Sequence, residues 1–210
     1  LDDIRISASL VVFKPDFVLL GRTLRALEIA GQEVRARYAA HLELTLVDNS
    51  DDPQWFAALQ TWTTEPSASV PAWYVSVLRS PGNLGYARGN NMVIEQADSD
   101  YHLVINPDLF AAPDCLVHAI RFMQQNRDVG LLVPSVFGEN GERHYLCKRN
   151  PTLFILFLRS FAPSWIRACF QSRLDLYEMR DRNYDDRMED IEFPSGCFMF
   201  FRARILKQLG

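Results

Sequence analysis

Residues 83–91 read NLGYARGNN, and residues 103–108, one short helix later, read LVINPD. The two glycines of the first segment let the backbone turn tightly and approach a ligand closely. Arg88 adds a fixed positive charge to that segment, and the apolar run of the second segment carries Asp108 to the carboxyl end of a strand. These features predict a site for a phosphate-containing ligand at the carboxyl edge of a sheet.

Apolar, β-branched runs alternate with segments of helical periodicity along the first 135 residues. This alternation predicts an α/β fold, a three-layer sandwich with a mostly parallel central sheet. The predicted strands cover residues 6–13, 42–47, 73–78, 101–105, 129–137 and 197–202. Helices are predicted to start after Asp16, at Pro53, at Gly85 and at Pro113, and residues 63–71 are predicted to form a surface loop.

The composition is that of a folded protein without a strong charge bias. The chain has 210 residues, 48% of them hydrophobic, and a net charge of −4. Acidic and basic residues are interspersed, so we expect no nucleic-acid partner. The four cysteines are widely spaced and form no Cys-x-x-Cys pair, which argues against a zinc site or a disulfide framework. The acidic N-terminus and the lack of an apolar run of about 20 residues predict a cytoplasmic location with reduced thiols.

Three further segments accompany the first two in a fixed order: LVVFKPD at residues 10–16, VDNS at 47–50 and PSGCFM at 194–199. Together the five segments resemble the inverting family-2 glycosyltransferases, particularly the rhamnosyltransferase-like members that build bacterial surface polysaccharides. The resemblance runs from about residue 6 to the last residue. It implies a GT-A (nucleotide-diphospho-sugar transferase) fold and inverting transfer of a sugar from a nucleotide-sugar donor to a saccharide or lipid-linked saccharide. The favoured donor is dTDP-rhamnose, and a UDP-hexose is the alternative.

The resemblance also implies which residues bind the donor. Asp48 and Asn49 would contact the pyrimidine base, and the glycine-containing loop would wrap the ribose and the diphosphate, with Arg88 facing the phosphates. The residues alone leave an alternative open, because Asp48 and Asn49 could form an Asx turn, and the loop could be an ordinary turn into a helix. The implied donor-binding residues are Val12, Lys14, Asp48, Asn49, Asn83, Gly85, Arg88, Asn90 and Asn106.

Asn106-Pro107-Asp108 occupies the place where the family usually carries an Asp-x-Asp motif that holds a divalent cation on the donor diphosphate. The resemblance implies Mg²⁺ or Mn²⁺ as the cofactor, with Asp108 as its ligand. An amide replaces the first carboxylate here, which puts tight metal binding in doubt. A plain Asn-Pro turn is the structural alternative.

The residues that would bind the acceptor lie in the segment around residue 195. The resemblance assigns Glu192, Ser195 and Gly196 to the acceptor, since small residues let an acceptor sugar approach the donor. It places the catalytic base in a Glu-Asp pair beyond Gly210, so we expect the 210 residues to be part of a longer chain. Residues 1–150 would then bind the nucleotide sugar, and residues 151–210 would form the acceptor-side part of the same domain.

Residues 153–170 form an aromatic-rich helical stretch interrupted by Arg159 and Arg167. We expect this stretch to be buried between lobes or at a dimer contact. Peripheral contact with a membrane, beside a lipid-linked acceptor, is the alternative.

Two other functions are compatible with parts of the sequence. A catalytically silent module that binds nucleotide sugars would explain Asn106 and the missing base. A nucleotidyltransferase should carry a glycine-rich, lysine-containing loop after the first strand, which residues 13–16 do not provide.

Overall fold

The computed structural model describes residues 3–64 and 72–209, so most of the predicted loop at residues 63–71 lies outside the described residues. The strands are β1 (Ile4–Val12), β2 (Ala40–Asp48), β3 (Tyr74–Arg79), β4 (Tyr101–Ile105), β5 (Leu131–Leu132), β6 (Val136–Phe137), β7 (Arg143–His144), β8 (Cys147–Lys148), β9 (Phe193–Pro194) and β10 (Phe198–Arg202). The helices are α1 (Phe17–Arg35), α2 (Pro53–Thr63), α3 (Tyr86–Ile94), α4 (Cys115–Gln125), α5 (Leu153–Phe161), α6 (Ser164–Cys169), α7 (Gln171–Tyr177) and α8 (Ala203–Leu209).

The chain divides into two units, and a six-stranded sheet forms the centre of the first, which comprises residues 1–132 and 196–210. The strand order is β3-β2-β1-β4-β10-β5. The first four strands run parallel, and β10 pairs antiparallel with β4 and β5. The predicted α/β class with a mostly parallel sheet is therefore confirmed.

Two of the predicted helix starts, those of α1 and α2, have aspartate side chains as N-caps. The carboxylate of Asp16 accepts the backbone N–H groups of Val18 and Leu19 at 2.8 and 3.1 Å, which satisfies two of the free donors at the start of α1. Asp52 caps α2 in the same way, and Pro53 occupies the first helical turn. Helix α3 follows Gly85, which has a φ of +78° and provides no side-chain cap.

The two faces of the sheet differ in polarity. Alternate residues of β1, among them Ile6 and Leu10, join α1 and α4 in the main apolar core. On the other face, Val11 packs with Val47 and with Val93 of α3 in a smaller cluster. A Cβ on Gly89 would lie 3.0 Å from Val11, so α3 rests closely on β1. Helix α3 and its preceding loop are therefore held against the strands that end beside them.

The prediction of one strand over residues 129–137 is wrong. The structure has two short strands there, β5 in the central sheet and β6 paired with β7. Pro134 lies between them, and proline has no N–H for a strand ladder, so it ends the pairing. The boundary between the two units falls in the same place, after Leu132.

The second unit, Val133–Ser195, contains two small antiparallel pairs, β6-β7 and β8-β9, and helices α5 to α7. The Arg149 guanidinium donates two hydrogen bonds to the Asp181 carboxylate, at 2.9 and 2.8 Å. Within this unit α5 buries Ile155 and Leu158 but exposes its other apolar side, and the expected burial between lobes or at a dimer contact stays a prediction. The predicted functional division at residue 150 stays a prediction.

Among the helices of the described residues, none combines the length and the apolar character needed to cross a membrane.

Two glycines of α1 provide a matched test of core packing. A Cβ on Gly31 would lie 3.0 Å from Trp73 Cδ1 and 3.1 Å from Ala72 Cβ, and the Trp73 indole is fixed by a 2.9 Å hydrogen bond to the Leu27 carbonyl. We expect Gly31→Ala to lower the free energy of unfolding by about 1–3 kcal/mol, since the buried indole must move. At Gly21 the nearest atom would be 3.5 Å away, an ordinary contact. Gly21→Ala should therefore raise stability by up to ~1 kcal/mol through helix propensity. Urea unfolding measures the free energy of unfolding of both variants. A change in the same direction for Gly31→Ala and Gly21→Ala would contradict this account.

Candidate functional site

Parallel pairing brings the carboxyl ends of β1, β2 and β4 to one edge of the first unit. Val12, the last residue of β1, lies opposite Asp48, the last residue of β2, and Asn49 donates its backbone N–H to the Val12 carbonyl at 2.8 Å. Strand β4 pairs with the other side of β1 and ends at Ile105, which places Asn106 at the same edge. Segments predicted to bind the donor therefore meet where parallel sheets usually bind ligands.

Asp48 is fully buried at this edge. Its Oδ1 accepts the backbone N–H of Ser50 at 3.0 Å, which closes the Asx turn named above as an alternative. Its Oδ2 has no hydrogen-bond partner among the described residues. A buried carboxylate oxygen without a donor is unfavourable, so an N–H group from a ligand would be stabilising at this atom. The protein covers the atom from solvent in this structure.

The turn after β1 is tied to the turn after β2. Lys14 adopts a φ of +48°, a left-handed conformation that is uncommon for a residue with a Cβ. Its backbone N–H donates to the Ser50 hydroxyl at 2.9 Å, and its side chain is exposed beside Phe13. The backbone at the end of β1 is therefore fixed while the Lys14 amine stays accessible.

Asn49 holds the glycine-containing loop in place. Its Oδ1 accepts the Leu84 backbone N–H at 2.9 Å and the Ser80 hydroxyl at 3.1 Å, and its Nδ2 donates to Asn83 Oδ1 at 3.0 Å. The same Asn83 oxygen accepts the Gly85 N–H at 3.0 Å. The Asn49 side chain is buried, so the structure uses it to position the loop.

The start of α3 leaves groups available to an anion. Gly85 supplies no side-chain cap, so the first N–H groups of the helix are not satisfied by a capping side chain. Arg88, in the first turn, is exposed and forms no hydrogen bond or ion pair within the described residues. The partial positive charge of a helix N-terminus and an unpaired guanidinium together favour a phosphate.

Tyr86 connects α3 to the turn that precedes β10. Its hydroxyl donates to the Gly196 carbonyl at 2.6 Å, and a Cβ on Gly196 would lie 3.3 Å from the Tyr86 ring. Burial raises the pKa of Tyr86 to about 12, with smaller contributions from Cys197 and Asp108. The phenol therefore stays protonated and keeps donating this bond.

Asp108 is exposed just past the end of β4. The turn that carries it is fixed by two hydrogen bonds, one from the Asn106 N–H to the Cys197 carbonyl at 2.9 Å and one from the Thr23 hydroxyl to the Pro107 carbonyl at 2.7 Å. No group of three or more His, Cys, Asp or Glu side chains capable of holding a metal occurs in residues 3–64 and 72–209. Among the described residues, Asp108 therefore belongs to no preformed cluster of metal-ligating side chains.

Asn90, predicted to bind the donor, is buried in a chain of polar side chains between α3 and the sheet. Its Oδ1 accepts the Ser9 hydroxyl at 2.7 Å, and its Nδ2 donates to the Tyr86 carbonyl at 3.0 Å. His102 lies between the hydroxyls of Ser9 and Ser7, at 3.0 Å from Nε2 and 2.7 Å from Nδ1. Both ends of the Asn90 amide are used inside the protein, and the bond from Ser9 attaches α3 to β1.

The direction of these hydrogen bonds fixes the tautomer of His102. Because Ser9 donates to Asn90, its oxygen is free to accept, so His102 must donate from Nε2 and accept at Nδ1 from Ser7. Burial lowers the pKa of His102 to about 4, so the ring is neutral. His102 is a residue that sequence reasoning missed. Its signal in the sequence is a pair of serines two residues apart in the apolar strand β1, which puts both hydroxyls on one face.

The predicted acceptor residues lie on both sides of the boundary between the units. Glu192 and Ser195 belong to the second unit, and Gly196 belongs to the first. Glu192 accepts the Asn150 backbone N–H at 2.9 Å, and the Ser195 N–H donates to the Leu146 carbonyl at 3.0 Å. Both interactions are within the second unit.

A comparison with protein families identifies the group to which these segments belong. The family described as Glycosyl transferase family 2 matches residues 25–210, which is most of the chain. The chain belongs to glycosyl transferase family 2. A comparison with curated proteins finds no match.

Solved structures share the fold. The mannosyltransferase PcManGT from Pyrobaculum calidifontis, in complex with GDP-Man and Mn²⁺, aligns with 100% of this chain and 47% of its own, at 16% identity and a TM-score of 0.55. S. aureus TarS 1-349 with UDP-GlcNAc aligns with 98% of this chain and 47% of its own, at 14% identity and the same TM-score. These similarities establish a GT-A glycosyltransferase fold. The chain spans about half the length of the proteins it matches.

The buried His102 predicts a pH dependence of stability. The unfolded chain binds a proton at a histidine pKa near 6.5 and the folded protein at about 4, so stability should fall as the pH is lowered between these values. At about 1.4 kcal/mol per pKa unit, the loss is roughly 3 kcal/mol. Urea unfolding between pH 7 and about 4 gives the slope of the free energy of unfolding against pH, which should be smaller in His102→Gln than in the wild type. His118→Gln, at an exposed position of α4, serves as the control for the substitution itself. A wild-type slope in His102→Gln would contradict a neutral buried imidazole.

Proposed function

We propose that this chain binds a nucleotide-sugar donor at the carboxyl edge of its sheet and transfers the sugar, with inversion, to a saccharide acceptor. The observation that carries the proposal is the uncapped start of α3 with the unpaired Arg88, at the edge where Asp48 and Asp108 follow their strands. Nucleoside diphosphates present the negative charge that such a site favours. The favoured donor is dTDP-rhamnose, and a UDP-hexose is the alternative. Synthesis of a bacterial surface polysaccharide, on the cytoplasmic side, is the setting that we infer.

Arg88 and the backbone N–H groups at the start of α3 would bind the donor diphosphate. A guanidinium can pair with two phosphate oxygens at once, which fixes orientation as well as charge. The loop that presents them is already held by Asn49, so little backbone order has to be gained on binding. Lys14 would add a second cation from the turn after β1.

Asp48 would recognise the base through its free Oδ2. The N–H of a pyrimidine base such as uracil or thymine is a donor that would satisfy this buried acceptor. The contact offers no discrimination between dTDP and UDP donors, because both bases carry that N–H. Asn49, Asn83 and Asn90 would act by positioning the loop and α3.

Asp108 would hold a divalent cation, Mg²⁺ or Mn²⁺, together with donor phosphate oxygens and water. When bound, such a cation neutralises the negative charge that develops on the leaving diphosphate. Asn106 would contact the ribose or a water bound to the cation. The neighbour PcManGT was solved with Mn²⁺, which supports a cation in this fold.

Glu192, Ser195 and Gly196 would contribute to acceptor binding. Inverting transfer requires a general base that takes the proton of the acceptor hydroxyl during attack. We assign no described residue to that role.

A non-catalytic module that binds nucleotide sugars is the second candidate. The single carboxylate of the Asn106-Pro107-Asp108 segment favours it, because enzymes of this kind depend on charge neutralisation at the leaving group. Incubation of the protein with labelled donor and saccharide acceptors separates the two, since a binding module would retain the donor without releasing nucleoside diphosphate.

Arg88→Ala tests the diphosphate site. We expect this substitution to weaken binding of dTDP or UDP by about tenfold or more, because hydrogen bonds to charged groups contribute about 1.5–3 kcal/mol. Binding of the uncharged nucleoside should change little. The exposed Arg121 on α4 provides the control, and Arg121→Ala should bind as the wild type does. Calorimetry measures the affinities of the wild type, Arg88→Ala and Arg121→Ala for the nucleotide and the nucleoside. Unchanged dTDP affinity in Arg88→Ala would contradict the assignment of Arg88 to the diphosphate.

Asp108→Asn tests the cation site. In the wild type, we expect donor affinity to be higher with Mg²⁺ or Mn²⁺ than with a chelator. Asp108→Asn should abolish that difference in affinity. The thermal midpoint of the variant should stay near the wild-type value, since Asp108 is exposed. Asp114→Asn, an exposed carboxylate at the start of α4, should keep the wild-type metal dependence. Equal wild-type donor affinity with Mg²⁺, Mn²⁺ and chelator would contradict a role for the cation in binding.

A further inference from the structure

Helix α5 has apolar residues on two opposite faces, and one face is exposed. Ile155 and Leu158 are buried, at 6% and 1% exposure. Leu153, Phe157 and Phe161 follow each other at intervals of four residues and are 86%, 56% and 77% exposed. Residues four apart lie on one side of a helix, so these three side chains form a continuous apolar stripe in contact with water.

The exposed surface extends beyond this stripe. Leu156 widens it to an arc of roughly 140° at 100° per residue, and Trp165 of α6 adds an indole that is 67% exposed. We call Leu153, Leu156, Phe157, Phe161 and Trp165 the α5–α6 patch. An aromatic side chain offers roughly 150–250 Å² of surface, so these exposures amount to several hundred Å². A soluble domain rarely leaves a contiguous apolar stripe such as that of α5 without a partner.

The charged residues of segment 152–174 all have one sign, and the first acidic residue after it is Asp175 of α7. Residues 152–174 contain Arg159, Arg167 and Arg173 and no lysine, aspartate or glutamate, whereas the whole chain has a net charge of −4. Arg167 and Arg173 form no ion pair within the described residues, and Arg173 lies over the Phe154 ring at 5.6 Å. Arg159 lies over the Tyr177 ring at 5.4 Å. Three positive charges therefore accompany the patch without acidic neighbours in the same segment.

We propose that the α5–α6 patch binds the surface of a phospholipid bilayer that contains anionic lipids. Aromatic and leucine side chains on one face, flanked by arginines, form the composition that places a helix in the interface of a membrane. The apolar side chains enter the boundary between headgroups and acyl chains, and the guanidinium groups remain at the phosphates, which long basic side chains reach by extending along the surface.

The same charges argue against a second copy of this chain as the occupant. A symmetric dimer places the same surface of both copies in contact, so the arginines of one copy would face those of the other. Like charges across an interface are unfavourable. An anionic surface gains from each of these arginines instead.

This inference does not depend on the proposed function. All of its residues belong to the second unit, whereas the proposed donor-binding residues belong to the first. Donor binding measured on the same variants therefore separates failure of one proposal from failure of the other.

Vesicle binding tests the proposal. The protein is sedimented with phosphatidylcholine vesicles that contain or lack phosphatidylglycerol, at low and high salt. We expect binding to the anionic vesicles that weakens with salt. Phe161→Ser/Trp165→Ser should lose at least about tenfold in partitioning through lost apolar burial, and Arg167→Glu/Arg173→Glu should lose a similar factor through charge. Circular dichroism verifies that each variant is folded, which is expected because all four side chains are exposed.

Matched controls come from outside the patch. Phe137 is 53% exposed on β6, close to Phe157 in exposure, and Arg121 is exposed on α4. Phe137→Ser and Arg121→Glu should bind anionic vesicles as the wild type does. Three results would overturn the proposal: no binding of the wild type to anionic vesicles, equal loss in the control variants, or a wild-type dimer that the patch variants dissociate while vesicle binding is absent.

Discussion

The parallel pairing of β1 with β2 and β4 is the constraint on which the site depends. It places Val12, Asp48 and Ile105 at the ends of neighbouring strands, so every turn that follows lies at one edge. Those turns are then fixed to one another by short polar contacts, chiefly those of Asn49 and Ser50. A buried amide that makes three hydrogen bonds is costly to disturb, because each group left unpaired is desolvated without compensation. The rigid edge thus exists before any ligand binds.

The face of the sheet that carries α3 replaces much of its apolar contact with a polar chain. Ser7, His102, Ser9 and Asn90 are all buried, and their donors and acceptors are satisfied in one consistent direction. All hydrogen bonds of such a network are made in only one arrangement of its side chains, so a fully satisfied network specifies a single structure. It therefore fixes the position of α3, and with it the direction of the first turn that presents Arg88.

Sequence reasoning succeeded where the deciding interaction is local. Residues 101–105 form a strand as predicted, and Asp16 caps α1 through its own turn. It failed where contacts between residues distant in sequence determine the structure. The chain through His102 joins residues more than 80 positions apart, and the pattern of β1 shows only that its two serines share a face, not what they contact. Apolar periodicity likewise indicates a face of α5 but not what covers it, so the expected burial between lobes or at a dimer contact stays a prediction. The sequence itself contains the signal that divides the predicted strand 129–137, because Pro134 cannot donate to a strand ladder.

Hydrogen exchange with and without a nucleoside diphosphate tests the central claim most directly. If the donor binds at the carboxyl edge, adding dTDP or UDP should slow exchange of the backbone N–H groups in residues 83–90 and in the turns after β1 and β2. The opposite ends of the same strands, around Ile4 and Ala40, should be unchanged. Protection at those opposite ends, with none at the start of α3, would contradict the account.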